Sequence, residues 1–428
     1  MFSLLDFCEK CENGLANLDT IMAGNENNLQ LFEVTVSSRI DLLVASWRLA
    51  TKQQPNSKDE WHGLMASNRS VTINDVASAA GVSRATVSRA LAGYGRINAE
   101  TVAHIRKVAQ EIGYKPNAIA AAMRSGKTKT IGLVVISDFT NAFFDRATKA
   151  IIDQAKSFGY QVLISHTDEN ITVERQAVKT LLGNQVDGLI VVPSSAVVHD
   201  HLAPKQVGGK PVVVIDRRLD GVRYTTITTG DLVAAEEATV YAIESGHRQL
   251  GFLIAVPGIK GFTDERPLIP ISSVQERADG FASGVADAKL RASQVAWVYC
   301  EDTETAAHSA VESLLDAKVP PTIIFTSNND MLLAVLKVAG TRGMRIGQDL
   351  SVISFDDSPW AAAMVPGITV IGRPVEELGR LAVDELVEAI EGKNNPKKIV
   401  LDAELIKRGS VANLNKISTA KSSSSKRA

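Results

Sequence analysis

Cysteine is scarce: Cys8, Cys11 and Cys300 are the three in 428 residues. Three cannot build a disulfide framework in so long a chain, and that fits a reducing compartment. Cys8 and Cys11 have metal or redox spacing but lack the second pair that a structural zinc site needs, so the spacing is read as chance. Long apolar runs are missing too. Nothing approaches the ~20 residues that span a bilayer, and the opening MFSLLDFCEK breaks its apolar stretch at Asp6 before a secretory core can form. These absences predict a soluble, cytoplasmic protein with no membrane partner. Net charge is nearly absent as well: 46 Lys plus Arg stand against 48 Asp plus Glu, giving −2, so global charge names no partner. Aromatics make up only 5%, yet 45% apolar content can give a core to each of the two or three domains that this length implies. A disordered or fibrous chain is excluded.

Charge is present locally. Residues 71–130 hold nine Lys or Arg and three acids, net +6, while residues 1–70 are net −3 and the remainder net −5. A basic block of 60 residues on an acidic body is the pattern of a small polyanion-binding module, although a solvated basic surface would give the same count. Residues 1–70 show no sustained period and are read as an extension without an assigned fold. Met65 opens MASNRSVTINDV and offers an alternative natural start, with residues 1–64 then an extension outside the native chain. The Ser-rich basic end, 411–428, reads as a disordered tail.

From residue 131 to about 410, short β-rich runs (IGLVVI, YQVLIS, DGLIVV, PVVVID, LGFLIA, TIIFTS, LSVISF) alternate with helical spacing, the pattern of repeated βαβ units. Val375, Leu378, Ala382, Leu386 and Ile390 form one apolar helix face after Pro374. Some 280 residues are long for one sheet, so two doubly wound parallel-sheet subdomains facing a cleft are expected. The fold class is therefore α/β, with an all-α head at 71–115 and a linker at 116–130.

The head reads as three short helices. Thr72 with Asp75 resembles a capping box, Ser83 caps the second helix, Asn98 or Thr101 caps the third, and Gly113 ends it. Small and apolar residues around Gly81 let two helices cross closely, giving a helix-turn-helix whose second helix opens at Ser83-Arg84-Ala85. A plain three-helix interaction module remains the alternative on these features alone.

VTINDVASAAGVSRATVSRALAGYGRINAETVAHIRKVAQEIGYKPN, then RSGKTKTIGLVV, is similar to the DNA-binding head and hinge of the lactose-repressor (LacI/GalR) family of bacterial transcription regulators. The resemblance continues through FFDRATKAIIDQAKSFGY, ESGHRQLGFL, QERADGF, DLSVISFDD and VEELGRLAVDEL, covering about residues 71–410. It implies a periplasmic-binding-protein-like body and a double-stranded operator as partner. Arg84 and Ala85 take the operator-choosing positions, and Arg89 takes one that reads guanine, for which its fork suits O6 and N7. Thr72, Ser83, Ser88, Asn98 and Thr101 match phosphate-contacting positions, with Tyr94, Gly95 and Arg96 in a loop that approaches DNA. Residues 116–124 match a hinge helix that forms against its dimer mate, with Asn117, the small Ala120, and Met123 as the minor-groove wedge. In the body, the resemblance puts Asp138, Asn141, Phe143, Phe144, Asp216, Arg217, Ser273, Arg277 and Asn329 at a cleft that binds an effector, a sugar or related metabolite. Asn329 stands where sugar-sensing relatives often carry Asp, and Glu301 and Asp302 stand where a cleft aromatic is expected. For single residues, core packing or plain ion pairs are the competing roles: Asp216 with a neighbouring Arg, and Arg277 likewise.

Enzyme motifs fail. GYGRIN has Asn98 where a dinucleotide fingerprint needs its third glycine, GKT at 126 has Ala121 where a P-loop needs its first, and no Gly-x-Ser-x-Gly elbow occurs. His104, His166, His199, His201, His247 and His308 show no metal-ligand spacing, so no metal, cofactor or catalytic residue is expected. The expectation is a homodimeric, effector-controlled repressor in the bacterial cytoplasm, associated with the nucleoid. A solute-binding receptor for transport is the alternative, and an α/β enzyme such as a sugar dehydrogenase or kinase comes third.

Overall fold

The computed structural model describes residues 71–92, 95–114, 127–136, 141–258, 261–263, 269–393 and 395–415. Tyr94, the hinge positions Asn117, Ala120 and Met123, Asp138, the N-terminal extension and both paired cysteines lie outside the described residues. The chain divides into two units, residues 1–116 and 117–428.

The described part of the first unit is three helices: α1 (Ile73–Ala79), α2 (Arg84–Ala92) and α3 (Ala99–Glu111). Asp75 accepts hydrogen bonds from both the amide and the hydroxyl of Thr72 at 2.7 Å, tying the start of α1. Ser83 Oγ accepts the Thr86 amide at 3.1 Å, and Asn98, not Thr101, caps α3 by accepting the Glu100 amide at 3.0 Å. Gly81, at φ +64°, allows the tight turn between α1 and α2 that a side chain would strain. Val76, Ala80, Val87, Ala90, Ile105 and Val108 close the core between the three helices.

The second unit has two lobes. In the first, β1 (Thr130–Val135), β2 (Gln161–His166), β3 (Gly188–Val191), β4 (Val212–Ile215), β5 (Thr225–Thr229) and β12 (Lys398–Leu401) form a parallel sheet in the order β12-β5-β4-β3-β1-β2. Helices α4 (Ala142–Ser157) and α11 (Val375–Ile390) bury one face, and α5 (Ile171–Gly183) helps bury the other. Strands covered on both sides must be apolar throughout, as β3 and β4 are. The apolar face expected from Val375 to Ile390 is the one that α11 packs inward.

The second lobe orders its strands β13-β11-β10-β9-β6-β8-β7: β6 (Leu250–Ala255), β7 (Gly261–Thr263), β8 (Val295–Cys300), β9 (Ile323–Thr326), β10 (Ser351–Phe355), β11 (Thr369–Gly372) and β13 (Glu404–Ile406). The edge strands β7 and β13 run antiparallel to their neighbours. Helices α6 (Asp231–Glu244) and α7 (Ser272–Asp287) cover one face, and α8 (Glu304–Leu315), α9 (Asn329–Thr341) and the short α10 (Pro359–Ala363) cover the other. Gly280 lets α6 and α7 touch: a Cβ there would sit 2.0 Å from the Leu232 carbonyl oxygen. The chain passes between lobes three times, from β5 into α6, from β11 into α11, and from β12 to β13. Residues 411–415, expected to belong to a disordered tail, are folded onto this lobe instead. The Ala412 amide donates to Ser351 Oγ at 2.9 Å and the Leu414 amide to the Ser245 carbonyl at 2.8 Å.

A buried histidine gives the second lobe a pH dependence. His247 has no exposed surface, its Nδ1 lies 2.8 Å from Thr322 Oγ1, and burial pushes its pKa down from 6.5 to about 4. A base whose folded pKa is depressed favours the folded state fully above its unfolded value, and that advantage is lost as pH falls. Acidification from pH 6.5 to 4 is therefore expected to cost about 2–3 kcal/mol through this one residue. Denaturant melts of His247→Gln should show a flatter pH slope across that window; an unchanged slope would clear His247 of the effect.

Candidate functional site

Two surfaces carry chemistry, one on each unit. On the first, Arg84 and Ala85 occupy the first turn of α2 with exposed side chains, and Arg89 is exposed further along the same helix. Arg84 places a cation at the positive end of a helix dipole, where it costs about 0.3–1 kcal/mol, so stability does not explain it. Arg89 packs its aliphatic stem toward the next loop. A Cβ at Gly95, whose φ is +89°, would meet Arg89 Cδ at 3.3 Å, so glycine there leaves room for the arginine. Ser83, Arg96 and Asn98 are exposed near these residues in sequence, whereas Thr72 and Ser88 are half-buried. Ser83 and Asn98 also hold helix starts, so their hydroxyl and amide serve the fold whatever else they touch.

The second surface is a cavity of 620 Å³ between the lobes, within the range typical of small-molecule sites. Asn141, Phe143, Phe144, Asp216, Arg217, Ser273 and Arg277, all named from the sequence, lie on its wall. They arrive there because strands end facing the cleft: Asp216 follows β4 directly and Asp356 follows β10. Both take left-handed backbone conformations, at φ +64° and +70°, as do Asp168 and Glu169 beyond β2. Strain of this kind in non-glycine residues collects at functional sites.

Asn329 is the correction. It does not line this cavity; Asn328 and Asp330 do. Asn328 caps α9, its side chain accepting the Met331 amide at 2.9 Å, and the first helical turn then carries Asn329 away from the main cavity. Its buried amide makes no hydrogen bond and borders a smaller recess of 300 Å³ with Asn141, Asp330 and Trp360.

The cleft floor is ionic, and sequence reasoning missed most of it. Arg373 lies where β11 passes into α11, 6% exposed; its Nε donates to Asp356 at 2.7 Å and its Nη1 to Asp216 at 2.6 Å. Its guanidinium also lies 3.7 Å from the Phe143 ring centroid. Arg277 donates to Asp231, where the chain enters α6, at 2.7 Å and stacks on Phe355. Arg217 joins Glu169 and the Pro193 carbonyl. Burial opposes the charge on Asp216, but Arg373, Arg277 and Arg217 outweigh it and hold the carboxyl below its ordinary range. The ion-pair role weighed for Asp216 and Arg277 is thus real, and it coexists with a place on the wall. Arg373 escaped notice because TVIG is too short to announce a strand end.

Among the described residues no cluster of three His, Cys, Asp or Glu side chains could hold a metal ion, and no helix is long and apolar enough to cross a membrane.

Comparison with known proteins gives a family match in each of the two units. Residues 72–117 match the description "Bacterial regulatory proteins, lacI family", and residues 240–411 match a "Periplasmic binding protein-like domain". Catabolite control protein A of Priestia megaterium is 30% identical over 77% of this chain and 96% of its own length. The HTH-type transcriptional repressor CytR of Escherichia coli strain K12 is 29% identical over 79% of this chain and 96% of its own. Among solved structures, a lac repressor dimer bound to operator and the anti-inducer ONPF shares the fold, with a TM-score of 0.69 at 22% identity, covering 80% of this chain and 100% of that one.

Proposed function

Since the chain belongs to the LacI family of bacterial regulatory proteins, we propose that it is a repressor which reads its operator through α2 and answers to a small molecule held in the 620 Å³ cleft. The carrying observation is the pairing of an exposed basic helix-turn-helix with a two-lobed body whose strand ends converge on a cavity. A transport receptor needs no such head. An enzyme reading finds no support in the relatives, several of which are named as transcriptional repressors or regulators.

In this reading Arg84, Ala85 and Arg89 face base edges, and Thr72, Ser83, Ser88, Arg96 and Asn98 meet phosphates. Tyr94, Asn117, Ala120 and Met123 belong to the same surface on the family's pattern. Asn141, Phe143, Phe144, Asp216, Arg217, Ser273 and Arg277 border the effector, and Asp138 joins them on the family's pattern alone. The protein acts as a cytoplasmic homodimer, since two heads must meet half-sites a helical turn apart. Effector binding shifts the angle between lobes, and a coupling of ~1–3 kcal/mol suffices to change operator occupancy.

Selection of bound genomic fragments by the purified chain tests the reading: enrichment of one recurring site is expected, and uniform recovery at moderate salt would reject it. Arg89→Ala should then narrow the gap between operator and random DNA by ~1–3 kcal/mol, measured by titration on both. Equal losses on the two would assign Arg89 to the phosphates.

A further inference from the structure

We propose that the two lobes turn about a buried pivot at Arg373 and are held in the present arrangement by two arginine clasps beside the cleft, Arg146 on Asp357 and Arg218 on Glu276. The proposal rests on the reading above, in which an effector works by shifting the angle between lobes, and names the contacts that such a shift must break.

Arg146 stands on α4 of the first lobe, and two arms of its guanidinium, Nε and Nη2, each donate at 2.8 Å to the Glu376 carboxylate in the first turn of α11. That pairing lies wholly within the first lobe and sets the plane of the group. The third arm, Nη1, reaches across and donates to the Asp357 carbonyl of the second lobe at 3.1 Å. Asp357 follows β10, next to the wall residue Asp356, and is firmly mounted: its two carboxylate oxygens each accept from Arg408 at 2.8 Å, and Arg408 also donates to the Ile368 carbonyl at 2.8 Å. Each half of the contact is thus fixed to its own lobe. Only the 3.1 Å bond between them opens when the lobes rotate.

Arg218 makes the second clasp. It follows β4 in the first lobe, next to the wall residue Arg217; its side chain pairs with Glu276 on α7 of the second lobe, and its amide donates at 2.8 Å to Ser272 Oγ where α7 starts. Both arginine side chains are partly exposed, 34% for Arg146 and 47% for Arg218, so water can take over their bonds at little cost. Arg373 differs in kind. It lies on a passage of the chain between lobes, and opening its pairs with Asp216 and Asp356 would leave buried charges uncompensated. Ties that open easily beside the cleft, around one at the floor that does not, leave rotation about the floor as the motion open to this unit.

The test reads the distance between lobes directly. Spin labels go on Thr172→Cys and Thr305→Cys, exposed positions in the first turns of α5 and α8, in the full chain carrying Cys8→Ser and Cys11→Ser, with the buried Cys300 left in place. Labelled chain is diluted with unlabelled chain, so that only distances within one molecule are read. One narrow distance is expected in the parent. In Arg146→Lys, which keeps a charge for Glu376 but loses the fork, and in Arg218→Ala, the distance should shift or spread by more than about 2 Å, and further in the double variant. An unchanged distance in the double variant overturns the proposal. So does a lower melting temperature without a change in distance, which would assign the two arginines to local packing. Operator titration of the same samples tests the underlying reading separately: affinity should change at least about fivefold in the double variant. A changed distance with unchanged operator affinity leaves the clasps standing and rejects control of the operator by lobe angle, whereas absence of operator preference in the parent rejects the repressor itself.

Discussion

Arg373→Met is expected to destabilise the two-lobed unit by about 3–5 kcal/mol, a cost characteristic of breaking a buried ion pair from one side. The guanidinium is the shared partner of Asp216 on the first lobe and Asp356 on the second, with Asp231 3.8 Å away. Burial opposes its charge, but the three carboxylates outweigh burial and raise its pKa further above the ordinary arginine value. Met fills similar volume and removes the charge, leaving the buried Asp216 and Asp356 with Arg277 and Arg217 as the remaining compensation. Denaturant unfolding with an unchanged m-value reads the loss. A decrease under about 1 kcal/mol would mean that solvent reaches the site. The triple change Arg373→Met, Asp216→Asn, Asp356→Asn should recover much of the stability, because uncompensated charge rather than lost attraction dominates the single variant.

Phe281→Ala comes next, at about 3–5 kcal/mol. The ring is 1% exposed on α7 and is surrounded by aromatic neighbours, with centroids 5.1 Å from Phe252, 5.1 Å from Trp297 and 4.9 Å from Phe325. Two of these contacts are edge-on, the arrangement that ring quadrupoles prefer. Truncation leaves a void that the flanking β-sheet and the close α6–α7 contact at Gly280 cannot collapse to fill. A fall in Tm of roughly 10 °C is expected by calorimetry, by the usual conversion of free energy to midpoint for units of this size. A fall of less than about 3 °C would show that the lobe relaxes around the gap. Operator affinity at low temperature should be kept, since α1 to α3 have their own core.

Sequence determined a good deal by itself. The caps at Thr72, Ser83 and Asn98, the turn at Gly81 and the apolar face of α11 follow from local chemistry, because each involves residues a few positions apart. Six of the seven apolar runs emerged as strands for the same reason, since burial on both faces leaves a continuous signature, and the seventh, YQVLIS, became the half-exposed edge strand β2. Strands β5, β7, β8, β11, β12 and β13 went unread. TTITT is polar in composition, GFT, TVIG, KIVL and ELI are too short to show a period, and only VAWVYC carries the same apolar signature as the seven.

What the tertiary structure alone decided is the character of the cleft. Asp216 and Arg373 are 157 positions apart, Asp231 and Arg277 are 46, and no pattern along the chain announces that they meet. Nor does a pattern say that Asn329 turns aside while Asn328 and Asp330 face the cavity, since the cap of α9 sets that rotation. Local rules fix which element a residue belongs to. Which charges meet beneath the cleft depends on three separate passages of the chain between two lobes, and that is a property of the folded whole.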